Sequence, residues 1–190
     1  DSINCLAAAL YLMIPAETIA ERMAQLEPVA MRLEVKEGIN NCVIINDNSN
    51  SDTASLDIAL DFMERRCSTM AGLSHTLILS DLKETGQTAR SLYRTVARYI
   101  EKRGINKLIG IGKDIKSEGD RLSKAVTEAH FFISVEEFMQ SPIFATLHDE
   151  AILVKGSHAF RFEEISEALE KKVHQTILEV NLSALRENLN

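Results

Sequence analysis

The stretch VIINDNSNSDTASLDIAL, residues 43–60, decides which fold the sequence predicts. It begins as a short aliphatic run, passes through eight consecutive small polar residues at positions 46–53, and continues with Leu56, Ala59 and Leu60 at helical spacing. A strand that leads through a polar loop into a helix is the first half of a β-α-β unit. Sheets built from such units are parallel and bind ligands at the carboxyl ends of their strands. The polar loop is therefore a candidate ligand-binding segment.

The composition is that of a globular protein, with 45% hydrophobic and 26% charged residues among 190. The net charge is −7 and the basic residues are scattered, so we expect no nucleic-acid partner. No apolar run approaches the roughly 20 residues that a membrane span requires. Cys5, Cys42 and Cys67 lie in apolar segments without C-x-x-C spacing, which argues against a disulfide framework or zinc site. We expect a cytoplasmic protein.

Strands and helices alternate after residue 32, which predicts a three-layer, Rossmann-like α/β domain with a mainly parallel sheet. Before it, apolar residues at helical spacing up to Ile14, followed by Pro15, predict a helical hairpin that ends near residue 26. The segment EPVAMR at 27–32 is the expected linker. Short aliphatic runs place the strands at residues 33–37, 42–45, 76–79, 107–111, 131–133 and 152–154.

Three further segments follow predicted strands and so share the position of the polar loop: SDLKETG at 80–86, GIGKDI at 110–115 and VKGSH at 154–158. Each has a purely structural alternative. Asp52 could simply cap a helix, Gly86 could occupy a turn at positive φ, and Lys155 could be an ordinary solvated lysine. GIGKDI lacks the G-x-x-x-x-G-K-[ST] pattern, and no motif of a hydrolase or metal site is present. We expect no catalytic residue and no metal ligand within the chain.

Taken together, five blocks in order resemble the Mur ligase family, and specifically those members that add D-alanyl-D-alanine to the UDP-N-acetylmuramoyl tripeptide. The blocks are NCLAAAL at 4–10, MRLE at 31–34, INDNSNSDTASL at 45–56, DLKETG at 81–86 and ILVKGSH at 152–158. The resemblance implies ATP-dependent amide formation through an acyl phosphate, with Mg²⁺ on the phosphates. It makes residues 1–30 the end of the central ATP-binding domain and residues 31–173 the C-terminal domain, a closing lid, while the P-loop and metal ligands lie outside the chain.

The resemblance also implies roles for single residues. On the ATP side it points to Asn4, Arg32 and Asp47, and on the D-alanyl-D-alanine side to Asn50, Lys155, Ser157 and His158. The chain departs from the family pattern at Met31, Asn46, Ser49 and His158. His158 replaces an arginine, so a dipeptide contact made there should weaken as the imidazole loses its proton with rising pH.

The last residues, ILEVNLSALRENLN at 177–190, resemble the opening strand and helix of a fold-type III alanine racemase, a PLP enzyme. This resemblance implies a ligase joined to a racemase, with residues 174–190 as the start of the racemase domain.

Two alternatives remain open. One is another amide ligase of the same superfamily, including the folylpolyglutamate type, although relatives that add diaminopimelate have D-Y-A-H and K-G-H-E where this chain has N-x-S and K-G-S. The other is a non-catalytic nucleotide-binding or interaction module. Such a module would bind its ligand as an isolated chain, whereas a lid with half of a site would bind almost none.

Overall fold

The computed structural model describes Ala9 and residues 11–15, 17–19, 33–47, 52–67, 72–82 and 86–171, with only the backbone of His158. The chain divides between Leu33 and Glu34 into two compact units. In the first unit, the Ile19 N–H donates to the Pro15 carbonyl at 3.0 Å, a helical turn that begins at the expected proline. Most of the predicted hairpin and both expected outer domain boundaries lie outside the described residues and stay predictions.

The second unit contains a six-stranded sheet in the order β1-β2-β6-β3-β4-β5. Only β1 runs antiparallel to its neighbour. The predicted α/β fold with a mainly parallel sheet is confirmed. The strands are β1 (Glu34–Glu37), β2 (Val43–Asp47), β3 (Ser74–Ser80), β4 (Lys107–Ile111), β5 (Glu128–Phe132) and β6 (Glu150–Lys155).

Seven α-helices are described in this unit, and none has the length and apolar character needed to cross a membrane. They are α1 (Thr53–Cys67), α2 (Ala89–Lys102), α3 (Lys113–Ser117), α4 (Gly119–Leu122), α5 (Val135–Met139), α6 (Pro142–Ala145) and α7 (Phe162–Leu169). Ser134 caps α5 by accepting the Glu137 N–H at 3.2 Å. The Glu137 carboxylate accepts from the Ile133 N–H at 2.6 Å, one residue earlier than in a standard capping box.

Alternating strand residues separate the core into two layers. On one face, aliphatic residues of the strands pack against α5 and α7. This cluster consists of Cys42, Ile44, Ile78, Ile109, Ile111, Val135, Phe138, Leu147, Ile152, Val154, Phe162, Ile165 and Leu169. Because successive side chains point to opposite faces, Ile45, Leu77 and Leu153 belong to the other face, under α1 and α2. Helices therefore cover both sides of the sheet, which gives three layers.

The chain after α7 returns to the edge strand β1. The Lys171 N–H donates to the Glu37 carbonyl at 2.9 Å, and Glu170 forms an antiparallel bridge with Gly38. The Lys36 ammonium adds an ion pair with Glu170 at 2.8 Å. The beginning and the end of the described part of this unit are thus joined.

Strand β6 is buried at all six of its residues, including the charged residue at its amino end. Glu150 is only 4% exposed. Its carboxylate accepts hydrogen bonds from the Thr76 hydroxyl on β3 and from the Lys107 ammonium on β4, both at 2.6 Å. This network ties the amino ends of three neighbouring strands together.

Arg103, directly after α2, connects the two long helices. Its guanidinium donates to Asp61 and Glu64 of α1 at 2.7 Å each, and to Asp57 at 3.2 Å. The hydrogen bonds from Arg103 hold the pKa of the Asp61 carboxyl below its usual range. This contact adds a polar clamp to the apolar packing between α1 and α2.

We predict that Glu150→Ala lowers the free energy of unfolding by about 3 kcal/mol, because it leaves a largely buried lysine without its main partner. The residual contact of Lys107 with Glu128 at 3.6 Å places the loss at the lower end of the usual range. Glu167→Ala, on the exposed side of α7, is the control and should change stability by less than about 0.5 kcal/mol. Urea denaturation measures both, and equal losses would contradict the proposed role of the network.

We also predict that Arg103→Met reduces the dependence of stability on acid pH. A carboxyl whose pKa is lowered by folding stabilises the protein above its unfolded pKa of about 4 and loses that contribution as pH falls through the folded pKa. Removing Arg103 returns the pKa of Asp61 towards its ordinary value, so the unfolding free energy should fall less steeply below about pH 4. Urea titrations from about pH 5 to pH 2.5 would show it. Arg94→Met, exposed on α2, should keep the wild-type slope.

Candidate functional site

The carboxyl ends of β2, β6, β3 and β4 lie side by side, because these four strands are adjacent and parallel. All four segments that the sequence singled out follow one of these strands. The structure therefore brings them to one edge of the sheet, which we call the carboxyl edge.

Asp47 and Lys155 meet at the carboxyl edge. They are register partners on β2 and β6, and the Lys155 ammonium lies 2.7 Å from the Asp47 Oδ2. The Lys155 side chain exposes none of its surface and the Asp47 side chain exposes 10%. In this structure the ammonium reaches Asp47 rather than solvent, so the direct substrate contact expected of Lys155 stays a prediction.

The polar loop after β2 serves partly as a helix cap. The Asp52 carboxylate accepts the Ser55 N–H at 2.7 Å and so caps α1. Helix capping is the structural role that the sequence analysis left open for Asp52. Asn46, at the other end of the loop, has a buried Oδ1 without a hydrogen-bond partner among the described residues. A buried acceptor left without a partner costs about 1 to 3 kcal/mol, so Asn46 is a natural position for a bound polar group. Residues 48–51, including Ser49 and Asn50, lie outside the described residues.

The backbone after β6 is closely packed. A Cβ added at Gly156 would overlap the Phe162 ring, so no larger residue fits there without movement. The Ser157 N–H donates to the Ser80 hydroxyl at 3.1 Å, while the Ser157 Oγ is buried without a partner among the described residues. His158 begins a short 3-10 turn, His158–Phe160, and its side chain lies outside the description.

Asp81 joins the loops that follow β3 and β4. Its carboxylate accepts the Ile115 N–H at 2.8 Å and the Asp114 N–H at 3.2 Å. Gly112 has φ +137°, and a Cβ there would overlap the same carboxylate. Gly112 of GIGKDI thus allows close approach of the internal Asp81 carboxylate, which occupies the amides that a phosphate would need.

Tyr93 completes this arrangement from α2. Its hydroxyl donates to Asp81 Oδ1 at 3.4 Å and accepts the Leu82 N–H at 3.3 Å. Burial, with a smaller contribution from the Asp81 charge, raises the pKa of Tyr93 well above its usual value, so it stays protonated at neutral pH. From the sequence alone, neither Tyr93 nor Asp81 receives a functional role. The available signal is that Asp81 and Gly112 each follow directly after a strand.

The predicted ATP contacts are only partly visible. Asp47 is described, whereas Asn4 and Arg32 lie outside the described residues. Among the residues that the structure describes, no group of three or more His, Cys, Asp or Glu is arranged to hold a metal ion.

No family model matches the chain. It is 28% identical over 177 residues to the UDP-N-acetylmuramoyl-tripeptide–D-alanyl-D-alanine ligase of Buchnera aphidicola subsp. Baizongia pistaciae (strain Bp), a match that covers 90% of this chain and 36% of the relative. The enzyme of the same name from Buchnera aphidicola subsp. Acyrthosiphon pisum (strain APS) is 28% identical over 175 residues, or 89% of this chain and 36% of that protein. The chain is homologous to these ligases. It spans little more than a third of their length.

A solved structure supports the fold. A crystal structure of MurF from Acinetobacter baumannii aligns with a TM-score of 0.60 at 16% identity, covering 90% of this chain and 37% of MurF. At that identity the likeness concerns the fold alone. It agrees with the fold that the sequence resemblance implied.

We predict that Asp47 and Lys155 are strongly coupled. Lys155→Met removes the cation that lies 2.7 Å from the nearly buried Asp47 carboxylate, and Asp47→Asn removes the charge that faces the buried Lys155 ammonium. Each should therefore cost about 3 to 5 kcal/mol of unfolding free energy. The double variant should cost less than the sum of the two by about 1 to 3 kcal/mol. Urea denaturation of the four proteins measures this, and strictly additive losses would show that the pair is not an energetic unit.

Proposed function

We propose that the chain is the C-terminal portion of an ATP-dependent ligase that joins D-alanyl-D-alanine to UDP-N-acetylmuramoyl-tripeptide in peptidoglycan synthesis. The observation that supports this best is homology to such ligases over nine tenths of the chain. Of the positions that the family resemblance assigned, Asp47 on β2 and Lys155 on β6 lie opposite each other on adjacent strands at the carboxyl edge. An open α/β sheet binds ligands at that edge.

In this proposal the residues of this chain bind and orient substrates and perform no bond-making step. Lys155 holds Asp47 at the end of β2, and Asp47, with Arg32 and Asn4, faces ATP. Asn50, Ser157 and His158 contact the dipeptide. Among these positions, the Ser157 Oγ is the atom whose hydrogen bonding within the described protein is incomplete, which suits contact with a polar ligand.

When bound, ATP would supply the phosphoryl group that activates the tripeptide carboxylate, and Mg²⁺ would offset the negative charge of its phosphates. We place the phosphate-binding loop and the metal ligands outside this chain, because the sequence contains no Walker A pattern. The unit that begins at Glu34 then acts as a lid which completes the site when it closes.

We further propose that the ligase works in the cytoplasm and that its polypeptide continues into a PLP-dependent alanine racemase. The support for the racemase is the resemblance of residues 177–190 to the start of that enzyme. The following sequence of the same reading frame decides this point, since a racemase must contain its PLP-binding lysine.

The test of the ligase uses the full polypeptide that contains this chain. Phosphate release from ATP should require both UDP-N-acetylmuramoyl-tripeptide and D-alanyl-D-alanine, and the isolated chain should release none. Release with the tripeptide and a different amino acid would favour another ligase of the superfamily. ATP binding by the isolated chain, without ligase activity in the full polypeptide, would favour a nucleotide-binding module.

We predict that Ser157→Ala raises the KM for D-alanyl-D-alanine about tenfold, because one hydrogen bond to a ligand is worth about 1.4 kcal/mol. The variant should be at least as stable as the wild type, since the Ser157 Oγ has no partner in the described protein. Ser166→Ala, which removes a buried hydroxyl from α7, is the matched control and should leave this KM unchanged. An unchanged KM in Ser157→Ala would remove Ser157 from the site.

A further inference from the structure

Ser80 extends the pairing between β3 and β6 beyond the last ladder position. The two strands are in register up to Leu79 opposite Lys155. The next residue, Ser80, is fully buried. Here the Ser80 side chain, rather than its backbone, bonds to the chain that follows β6. Its Oγ accepts the Ser157 N–H at 3.1 Å and donates to the Asp81 carbonyl at 3.1 Å. The hydroxyl therefore links the backbones of two loops at the carboxyl edge.

The same backbone is limited from another direction by an aromatic ring. Gly156 lies so close to Phe162, the first residue of α7, that a Cβ there would overlap the ring. Phe162 is fully buried and packs edge-on against Phe160, with ring centroids 6.4 Å apart. The Phe162 ring thus restricts the backbone at Gly156, and the Ser80 hydroxyl holds the backbone at Ser157.

A fixed backbone also fixes the direction of the side chain that it carries. Ser157 presents a buried hydroxyl with no partner among the described residues. A serine hydroxyl binds a ligand more tightly when the Cα and Cβ that carry it are already held in place. The entropic cost of ordering these atoms is then met during folding rather than on binding. The hydrogen bond from the Ser157 N–H to the Ser80 hydroxyl holds these atoms of Ser157 in place.

We propose that Ser80 is a positioning residue: its hydroxyl holds the main chain of Ser157 so that the Ser157 hydroxyl is oriented towards the dipeptide substrate. The proposal rests on the proposed function for the identity of the ligand. Ser80 itself touches no substrate and acts only through Ser157.

The first test concerns the contact itself and uses the chain as it stands. In Ser80→Ala, amide hydrogen exchange at Ser157 should accelerate about tenfold or more, the effect of losing one hydrogen bond of about 1.4 kcal/mol. Thr76→Val is the matched control, because Thr76 is a buried hydroxyl on the same strand that bonds Glu150 at the opposite end. It should leave exchange at Ser157 unchanged. Unchanged exchange in Ser80→Ala would overturn the proposal.

The second test concerns function and uses the full polypeptide. Ser80→Ala should raise the KM for D-alanyl-D-alanine about three- to tenfold, with kcat and the KM for ATP changed less than about twofold. In the Ser157→Ala background, Ser80→Ala should add no further rise, because its effect passes through the missing hydroxyl. Additive effects, or an equal rise in Thr76→Val, would show a merely structural role and overturn the proposal.

A Ser80→Ala variant that does not fold and a wild-type polypeptide without ligase activity have different meanings for the proposal. If Ser80→Ala fails to fold, Ser80→Cys keeps a similar volume with a much weaker acceptor and should show the same changes. If the wild-type polypeptide joins no dipeptide, the proposed function fails and the ligand assignment fails with it. The exchange measurement would still decide whether Ser80 holds Ser157.

Discussion

Strand β6 must be buried along its whole length although both of its ends are charged, and much of the structure follows from this constraint. Glu150 at one end and Lys155 at the other lie between neighbouring strands, where water is excluded. Each finds an opposite charge on another strand, Lys107 on β4 and Asp47 on β2. A slip of β2 against β6 by one residue would separate Asp47 from Lys155, so this pair helps to specify the register of the two strands.

The carboxyl edge combines rigid and incompletely bonded groups. Asp81 is held by backbone amides of α3 and by Tyr93, and Gly156 is held against Phe162. Beside these fixed points, Asn46 and Ser157 each bury a polar atom without a partner in the described protein. A binding site that is ordered before its ligand arrives spends less of the interaction energy on ordering. The arrangement thus suits a small polar substrate held by few contacts.

The sequence predicted the fold well because parallel strands buried on both faces read as continuous aliphatic runs. It predicted strand ends less well. β5 begins at Glu128 rather than at residue 131, since a half-buried edge strand has polar residues that hydrophobicity does not detect, and β6 includes the charged Glu150 and Lys155 for the reason given above. The sequence also placed the site segments after the correct strands. It could not show that Lys155 points at Asp47 or that Asp81 occupies the amides near Gly112, because these contacts depend on strand order.

The return of the chain to β1 after α7 has a mechanical consequence. Lys171 leaves beside Glu37, and Glu34 enters three residues away along the same strand, about 10 Å at roughly 3.3 Å per residue. The first strand and the last described residues of this unit therefore meet at one corner of the sheet. Fraying of the edge strand β1 would thus require this closing contact to open as well.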